Sequence, residues 1–390
     1  MTRIQIAYVK AGTGHRRAAE ALMQAVQERL PHAQVECVDA LESADGLAAR
    51  CYEHFYLFLV RRAAFLWSIG YRCLDTRPAH LLLRPVRALW NMTVGRRFAA
   101  HLSTNPPDAI ICTHFLPSDI CASLRRAGKL ASRAAVVVTD WHPHQFWACP
   151  ELDATVVNSP AAAERLQHFG VPRERIHVIG IPVDRAFTRP VDRSAVLKRL
   201  DLDPKRATLL LTSGGTTVGR FVEMAQRLAA LEADLPGRAQ LIVVCGTDTA
   251  AREQLAPVVA SAAMPIRVLG FVETMPELMA ASDCIVAKAG GLTLSEALAC
   301  GRPMVIYHVI PGQEEANARY AVNQGAAILE PNPQRAADAV KNLLLDPKAF
   351  ERLRARAEEL GQGNAAQRIA SEVVAPLVAH FYETRPETAR

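Results

Sequence analysis

Short runs of consecutive apolar residues alternate along the chain with longer segments in which apolar residues recur at helical spacing. Continuous apolar runs are typical of parallel strands that are buried on both faces. A helix is predicted from 16 to about 30, and helical segments fill roughly 42–104. The apolar runs of this half predict strands over 4–9, 34–38, 109–112, 134–138, 154–157 and 177–179. The first half is therefore predicted to form an α/β domain around a parallel sheet.

The same pattern begins again after a stretch rich in proline and charge at 181–206. A strand at 208–212 is followed by the turn Ser213-Gly214-Gly215 and a helix at 218–231. Further strands are predicted over 241–245, 266–269, 283–287 and 304–307, and the last helices over 335–380. The repeated order of strand, glycine turn and helix predicts two α/β domains in tandem.

The break in this pattern sets the predicted domain boundaries. We expect an N-terminal domain over 1–187, a linker over 188–206 and a C-terminal domain over 207–390, with the last helix a candidate to pack back on the first domain. Asp201-Leu202-Asp203 has the DxD form of some metal-dependent sugar transferases, but it precedes a proline, and we interpret it as a turn.

The composition indicates which class of protein this chain belongs to. Half of the 390 residues are hydrophobic and 22% are charged, as in ordinary globular proteins. The longest apolar runs are far shorter than the ~20 residues that cross a bilayer, and the first residues resemble a strand more than a signal peptide. Nine cysteines without a CxxC pair argue against a disulfide framework or a zinc site. We expect a soluble, cytoplasmic protein.

The positive charge is concentrated in one segment. Residues 51–100 contain eight arginines against Glu53 and Asp75, which accounts for the net charge of +6 of the whole chain. The same segment carries aromatic residues such as Trp67 and Trp90. Such a segment can bind anionic lipid or nucleic acid, or it can be a pair of helices with a solvated arginine face. No recognisable nucleic-acid-binding module accompanies it, so we expect no nucleic-acid partner.

Three glycine turns follow predicted strands, at 12–14, 213–215 and 290–291. A turn of this kind before a helix presents free N–H groups at the positive helix end, which is a site for anions such as phosphate. The first turn is not a P-loop, and Arg17 stands where a dinucleotide fingerprint has its third glycine. One such turn is often structural, but three at the carboxyl edges of strands favour a bound ligand.

Polar and aromatic residues follow two strands of the first domain. His15 begins the first helix, where the positive helix end disfavours imidazolium and keeps a base available, although an incidental histidine is the alternative. Asp140, Trp141 and His142 follow the strand at 134–138, and their aromatic and polar groups suit an acceptor with hydroxyl and apolar parts. The irregular spacing of the histidines disfavours a metal site there.

The segment of the second domain with the most candidate ligand-binding residues runs from Lys288 to Ala297. Backbone amides at Gly290-Gly291 could hold a diphosphate, and Glu296, one helical turn further on, could bind a ribose diol. A surface glutamate on a helix is the alternative for Glu296. One strand later, the polar loop with Gln313 and Glu314 could bind sugar hydroxyls.

Taken together, these motifs resemble glycosyltransferase family 28. The resemblance spans about residues 4–330, and its order and spacing are most similar to monogalactosyldiacylglycerol synthases and bacterial diacylglycerol glucosyltransferases. The matching segments are the first-loop histidine, Val138-Thr139-Asp140, Gly180-Ile181-Pro182-Val183, Ser213-Gly214-Gly215, Gly270-Phe271-Val272, Lys288–Glu296 and Pro311-Gly312-Gln313-Glu314. The resemblance implies an α/β GT-B fold, in which two Rossmann-like domains face each other across a cleft.

The resemblance also implies an activity: inverting transfer of a hexose from a UDP-sugar, UDP-glucose or UDP-galactose, to a diacylglycerol-type lipid. The product would be a β-glycolipid, and no metal or other cofactor is expected. His15 would be the catalytic base, and Gly14, Asp140, Trp141 and His142 would lie on the acceptor side. The first loop departs from the family pattern, because Ala11 replaces one of its glycines.

On the donor side, the resemblance assigns Phe271 and Val272 to uracil. Ser213 and Gly214, with Gly291, Leu292 and Thr293, would face the diphosphate. Glu296 would bind the ribose, and Gln313 with Glu314 the donor sugar.

A lipid acceptor gives the basic segment a role as the face toward an anionic membrane. The residues that we assign to this face are Arg61, Arg62, Phe65, Trp67, Arg96 and Arg97. The protein would then be peripheral on the inner face of the cell membrane. A UDP-sugar 2-epimerase, or a transferase acting on another acceptor, remains the alternative on the same fold.

Overall fold

A computed structural model describes residues 1–10, 13–42, 73–214, 217, 219–310 and 312–383. The predicted membrane residues Arg61, Arg62, Phe65 and Trp67 lie outside the described residues, as do Gly12 and Gly215. The chain divides into two units. The first comprises Met1–Asp184, Pro311–Gln313 and Asn364–Arg390, and the second comprises Arg185–Ile310 and Glu314–Gly363.

The first unit is built on a six-stranded sheet in the order β2-β1-β3-β4-β5-β6, and all its strand pairs are parallel. Its strands are β1 Arg3–Tyr8, β2 Gln34–Asp39, β3 Ala109–Cys112, β4 Arg133–Val137, β5 Ala154–Val157 and β6 Ile176–Val178. Its first five helices are α1 Gly14–Arg29, α2 Arg77–Val94, α3 Arg96–Thr104, α4 Phe115–Arg126 and α5 Pro160–His168.

Both faces of the first sheet are covered. Successive strand residues point to opposite faces, so Ile110 packs in one apolar core and Ile111 in the other. The core around Ile111 includes Leu22 and Val26 of α1, and the core around Ile110 includes Leu116 of α4. This two-sided burial explains why the strands are continuously apolar in the sequence.

The second unit repeats the architecture with the strand order β12-β11-β10-β7-β8-β9, again all parallel. Its strands are β7 Ala207–Thr212, β8 Ala239–Val244, β9 Ile266–Leu269, β10 Cys284–Lys288, β11 Met304–His308 and β12 Ala327–Leu329. Its helices are α6 Arg193–Arg199, α7 Phe221–Ala229, α8 Thr249–Ser261, α9 Met275–Ala281, α10 Gly291–Ala299, α11 Gln313–Asn323, α12 Pro333–Leu345 and α13 Pro347–Leu360.

The last described residues return to the first unit. They form α14 Ala365–Ile369, a π-helical turn Ala370–Val374 and α15 Ala375–Glu383. Ile369 and Val373 share the core that contains Leu22. The sheet of the first unit is therefore covered on this face by helices from both ends of the chain.

The stretch 188–206, which the sequence predicts to be a linker, has contacts with the second unit. It contains α6, and Arg193 of this helix forms an ion pair with Asp283 at 2.9 Å and donates to the Ala281 carbonyl oxygen at 2.7 Å. These contacts attach the stretch to the second unit, whose first residue is Arg185. Proline and charge in the sequence therefore marked a short surface helix, with Asp192 as its N-cap.

Candidate active site

His15 lies in the first turn of α1, which follows the carboxyl end of β1 in the first sheet. Its Nδ1 atom is 2.9 Å from the carbonyl oxygen of Thr113 and 2.9 Å from Oγ1 of Thr139. A carbonyl oxygen can only accept a hydrogen bond, so Nδ1 must be the protonated nitrogen of the neutral ring. This tautomer leaves the lone pair on Nε2 available to take a proton.

Protein atoms surround the His15 ring, although part of its surface stays accessible to solvent. Burial lowers the pKa of His15 to about 4, and the hydrogen bond with Thr113 opposes this shift only partly. The ring of His114 packs edge-on against it at a centroid distance of 4.6 Å. Burial and the neighbouring His15 also hold the pKa of His114 well below its usual value. Both imidazoles are therefore neutral at pH 7.

Aromatic rings form the wall beside His15. Trp147 is almost fully buried, and its ring centroid is 6.3 Å from that of His15. His114 caps α4 by accepting a hydrogen bond from the Leu116 amide at 3.0 Å, and it packs on Phe115 at 4.1 Å. These contacts fix the orientation of both histidine rings.

The predicted acceptor-side residues take up different environments. Asp140 is buried, and it accepts a hydrogen bond from Trp147 Nε1 at 2.8 Å. The side-chain amide of Gln313, the one residue of α11 that belongs to the first unit, also donates to Asp140. Trp141 is buried, whereas His142 is exposed. Gly14 is the first residue of α1, next to His15.

In the second unit, three polar side chains converge at the start of α10. Gly290 is the N-cap of this helix, and a Cβ atom there would lie 3.1 Å from Nζ of Lys288. The same position is 3.6 Å from Oγ1 of Thr293 and 3.8 Å from Oε1 of Glu314. A side chain at this position would have to displace the lysine ammonium by a few tenths of an ångström.

Lys288 and Glu314 form an ion pair at this helix end. The second oxygen of Glu314 accepts a hydrogen bond from the Ile310 amide at 3.0 Å, and Glu314 is more than nine-tenths buried. A cation beside the positive end of a helix is disfavoured unless an anion accompanies it. Glu314 provides that anion here, and a phosphate group at this helix end would also be negatively charged.

The other predicted donor residues flank this point. Gly291 and Leu292 belong to the first turn of α10, and Glu296 is buried in its second turn. Ser213 is buried at the end of β7 and hydrogen-bonds Tyr307, whose pKa is raised strongly by burial.

Gly214 follows Ser213 with a φ of +80°, a left-handed conformation that favours glycine. Phe271 is exposed and Val272 partly exposed in the loop after β9.

The sequence analysis assigned no individual role to four residues near these sites: Lys288, Thr113, His114 and Thr139. Each lies at the carboxyl end of a strand or directly after it: β10 for Lys288, β3 for Thr113 and His114, and β4 for Thr139. Position at that edge of a parallel sheet is the signal that could have identified them.

The described part of the chain has neither a cluster of metal-binding side chains nor a membrane-spanning helix. Within it, no group of three or more His, Cys, Asp or Glu side chains is placed to hold a metal ion. No helix there has the length and apolar character needed to span a membrane. Arg96 and Arg97 begin α3, and both are exposed.

The fold defines the class of protein first. The chain superposes on the UDP co-structure of S. aureus MnaA with a TM-score of 0.63 and 13% identity, over 99% of each chain. It superposes on Acinetobacter baumannii MurG with a TM-score of 0.58 and 14% identity, over 96% of this chain and 100% of that one. The predicted GT-B class, with two Rossmann-like units, is confirmed.

Sequence comparison then defines the family. Residues 15–183 match the profile of monogalactosyldiacylglycerol (MGDG) synthase, and residues 218–360 match that of glycosyl transferases group 1. The chain is 30% identical to the probable monogalactosyldiacylglycerol synthase 2 of Oryza sativa subsp. japonica, over 84% of this chain and 71% of that protein. It is 26% identical to the processive diacylglycerol beta-glucosyltransferase of Bacillus subtilis (strain 168), over 95% and 94%. The chain belongs to this family of glycosyltransferases, which confirms the resemblance seen in its motifs.

Proposed function

We propose that this protein transfers a hexose from a UDP-sugar to the free hydroxyl of a diacylglycerol-type lipid, with inversion at the anomeric carbon. The observation that carries the proposal is the 2.9 Å contact between Nδ1 of His15 and the carbonyl oxygen of Thr113. Because a carbonyl oxygen only accepts, this contact makes Nδ1 the donor and leaves Nε2 as a base. The names of the relatives supply the acceptor class.

In the proposed reaction, Nε2 of His15 removes the proton of the lipid hydroxyl while the oxygen attacks the anomeric carbon. The bond from that carbon to the β-phosphate oxygen breaks, and its electron pair leaves with UDP. The products are a β-glycolipid, UDP and a protonated His15 that returns its proton to solvent. A positioned base of this kind contributes roughly 10²–10⁴-fold.

Charge on the departing UDP needs stabilisation as it develops. We assign this role to the N–H groups of Gly291, Leu292 and Thr293 and to the ammonium of Lys288. Preorganised donors of this kind are worth roughly 10²–10³-fold each, which is why we expect no requirement for a metal ion. Glu296 is assigned to the ribose, Phe271 and Val272 to uracil, and Gln313 with Glu314 to the sugar.

The lipid acceptor resides in a membrane, so the protein would work as a peripheral protein on the inner face of the cell membrane. The exposed Arg96 and Arg97 support attraction to anionic lipid, since each arginine near such a surface is worth about 1 kcal/mol. UDP-glucose and UDP-galactose are the donors proposed.

The test is to incubate the purified chain with a panel of UDP-sugars and diacylglycerol, and to identify the products by mass spectrometry and the anomeric configuration by NMR. We expect a β-hexosyl diacylglycerol, at a rate that excess EDTA leaves unchanged. Turnover that EDTA abolishes and a divalent metal restores would contradict the metal-free mechanism. Conversion of UDP-GlcNAc alone to its 2-epimer, without transfer to lipid, would establish the epimerase alternative.

A further inference from the structure

The carboxyl end of β11 places a histidine beside the proposed diphosphate site of the second unit. His308 is the last residue of this strand and is partly buried. In the register of β10 and β11 it is paired with Lys288, and its carbonyl oxygen accepts a hydrogen bond from the Ala289 amide at 3.3 Å. His308 therefore adjoins the lysine whose ammonium is assigned to the departing UDP.

The loop that follows β7 packs on both of these side chains. A Cβ atom on Gly214 would lie 3.8 Å from Cε of Lys288. A Cβ atom on Gly219 would lie 2.7 Å from Cγ and 2.8 Å from Nδ1 of His308, which is too short for two non-bonded atoms. Gly219 also has a φ of +70°, so glycine is favoured at this position for two reasons. The lysine and the imidazole therefore lie against one loop, whose first residues Ser213 and Gly214 are candidates for binding the diphosphate.

The charged groups that act on His308 belong to the elements packed around it. Burial lowers the pKa of His308 most strongly, Glu314 of α11 raises it, and Lys288 of β10 lowers it. In the loop beside the ring, Arg220 is ion-paired with Glu223 of α7. The net result is a lowered pKa, so burial keeps the imidazole of His308 neutral at pH 7.

A bound UDP-sugar would change this balance of charge. Lys288 and Glu314 form an ion pair, so their charges offset each other. The diphosphate of a UDP-sugar carries two further negative charges, and the N–H groups of α10 would hold it next to this pair. A nearby anion favours the imidazolium and raises the pKa of a histidine by about 1–3 pH units. His308 is the one histidine of residues 185–363, and histidine is the side chain that most readily gains a proton near neutral pH.

We propose that His308 takes up one proton from solvent when a UDP-sugar binds, and that the imidazolium then serves as the second cation beside the diphosphate. No covalent bond to the sugar or the phosphate changes in this step. The proton adds to a ring nitrogen of His308 and returns to solvent after UDP has left. The imidazolium acts together with the Lys288 ammonium on the charge that develops on UDP as the sugar departs. This inference deepens the proposed function and rests on it for the identity of the donor.

Proton uptake on binding determines which kinetic constant depends on pH. Because the proton binds together with the donor, a lower pH favours the complex. We expect the dissociation constant of UDP-glucose to rise about tenfold from pH 6.5 to pH 8. At saturating donor, His308 stays protonated over this range, so kcat should stay nearly constant while KM rises. A histidine with only a structural role would produce no such difference between KM and kcat.

The test is calorimetry of UDP-glucose binding at pH 7, in two buffers that differ in their enthalpy of ionisation. UDP-glucose is the probe because its diphosphate, unlike the terminal phosphate of UDP, does not titrate near neutral pH. We expect the unmodified chain to take up about 0.7–1 proton per UDP-glucose bound, and the variant His308→Gln to take up less than about 0.2. The affinity of His308→Gln should be about three- to tenfold weaker at pH 6.5 and should no longer vary with pH.

The control is His32→Gln, which changes an exposed histidine of the first unit and should keep the full proton uptake. Thermal unfolding verifies that both variants are folded. In NMR spectra of the unmodified chain, one imidazole resonance should titrate with a higher pKa when UDP-glucose is bound, and this resonance should be missing from His308→Gln. A dissociation constant of the unmodified chain that does not change with pH, or proton uptake that persists in folded His308→Gln, would overturn the proposal.

Product analysis on the same samples separates this inference from the proposed function. If UDP-glucose binds without proton uptake and its sugar is transferred to diacylglycerol, the inference is wrong and the function stands. If UDP-glucose binds with proton uptake at His308 and no lipid receives its sugar, the inference stands and the proposed function is wrong. If neither UDP-glucose nor UDP-galactose binds, both are wrong.

Discussion

The two units carry the same parallel-sheet architecture, yet they place opposite chemistry at the carboxyl edges of their sheets. In the first unit, this edge holds His15 and His114, which burial keeps neutral. In the second unit, it holds Lys288 and Glu314, which face each other as an ion pair. One edge suits proton transfer, and the other suits the binding of a charged group.

The difference arises from the residues that follow the strands. After β3 and β4 come Thr113 and Thr139, whose oxygens meet Nδ1 of His15 and fix its tautomer. After β10 comes a glycine pair that leaves room for the Lys288 ammonium at the helix end. The sheet therefore determines only where these residues lie, and the few residues that follow each strand determine the chemistry at its edge.

The largest effect is expected from His15→Ala, which removes the proposed base of the first unit. We expect kcat to fall by about 10²–10⁴, because the general base is lost, while the affinity for UDP stays near normal. Steady-state kinetics with diacylglycerol and calorimetry with UDP provide the two measurements. His32→Ala, an exposed histidine of the same unit, is the control. Near-normal turnover of His15→Ala would move the base elsewhere, with Asp140 and His142 the next candidates.

The corresponding change in the second unit is Lys288→Met. We expect kcat to fall by roughly 10²–10³, the value of one preorganised donor toward developing charge. The matched control is Lys341→Met, which removes an ion-paired surface lysine from the same unit. A loss of less than about threefold in Lys288→Met would show that Lys288 serves only to balance the charge of Glu314.

The sequence predicted the architecture well, because the signals for it are local. Continuous apolar runs identified eleven strands, and both glycine turns that begin a described helix were recognised. The strand β12, Ala327–Leu329, has the same three-residue length as the predicted strand β6, but it was not predicted. The helix α6 was missed because its seven residues are rich in charge.

Residues of the candidate site could be predicted from the sequence only where they belong to one local motif. His15, Gly291 and Glu296 belong to local strand–turn–helix motifs, and they could be selected directly. The partners of His15 lie 98 and 124 residues away, and Glu314 lies 26 residues from Lys288. Such pairings depend on strand order in the folded sheet, which hydrophobic periodicity does not reveal.

A smaller effect is expected from Glu296→Ala, which tests the role of Glu296 in ribose binding by the second unit. Loss of a hydrogen bond to the ribose should weaken UDP binding by roughly 1.5–3 kcal/mol, measured by calorimetry. Because Glu296 is buried, thermal unfolding must first show that the variant is folded. Glu351→Ala, an exposed glutamate of the same unit, is the control. Unchanged UDP affinity in the folded variant would remove Glu296 from the site.

The smallest effect is expected in the pH dependence of kcat between pH 6 and pH 8. This measurement tests whether the proposed base of the first unit is neutral. The pKa of His15 is lowered to about 4 in the folded protein, against 6.5 for an unburied histidine. The ring is therefore unprotonated throughout this interval, and kcat should change by less than about twofold. A steep fall in kcat with an apparent pKa near 6.5 would contradict the neutral base.

The lowered pKa of His15 also makes the free energy of unfolding depend on pH. Because the unfolded chain binds the proton more readily than the folded protein, the free energy of unfolding should fall as the pH drops from about 6.5 toward 4. His15→Gln cannot be protonated, so it should lose less stability over this range, although His114 still contributes a fall in both proteins. Denaturant unfolding at pH 7 and pH 5 measures the difference, with His32→Gln as the control. Parallel losses in all three proteins would show that His15 is not desolvated in the folded state.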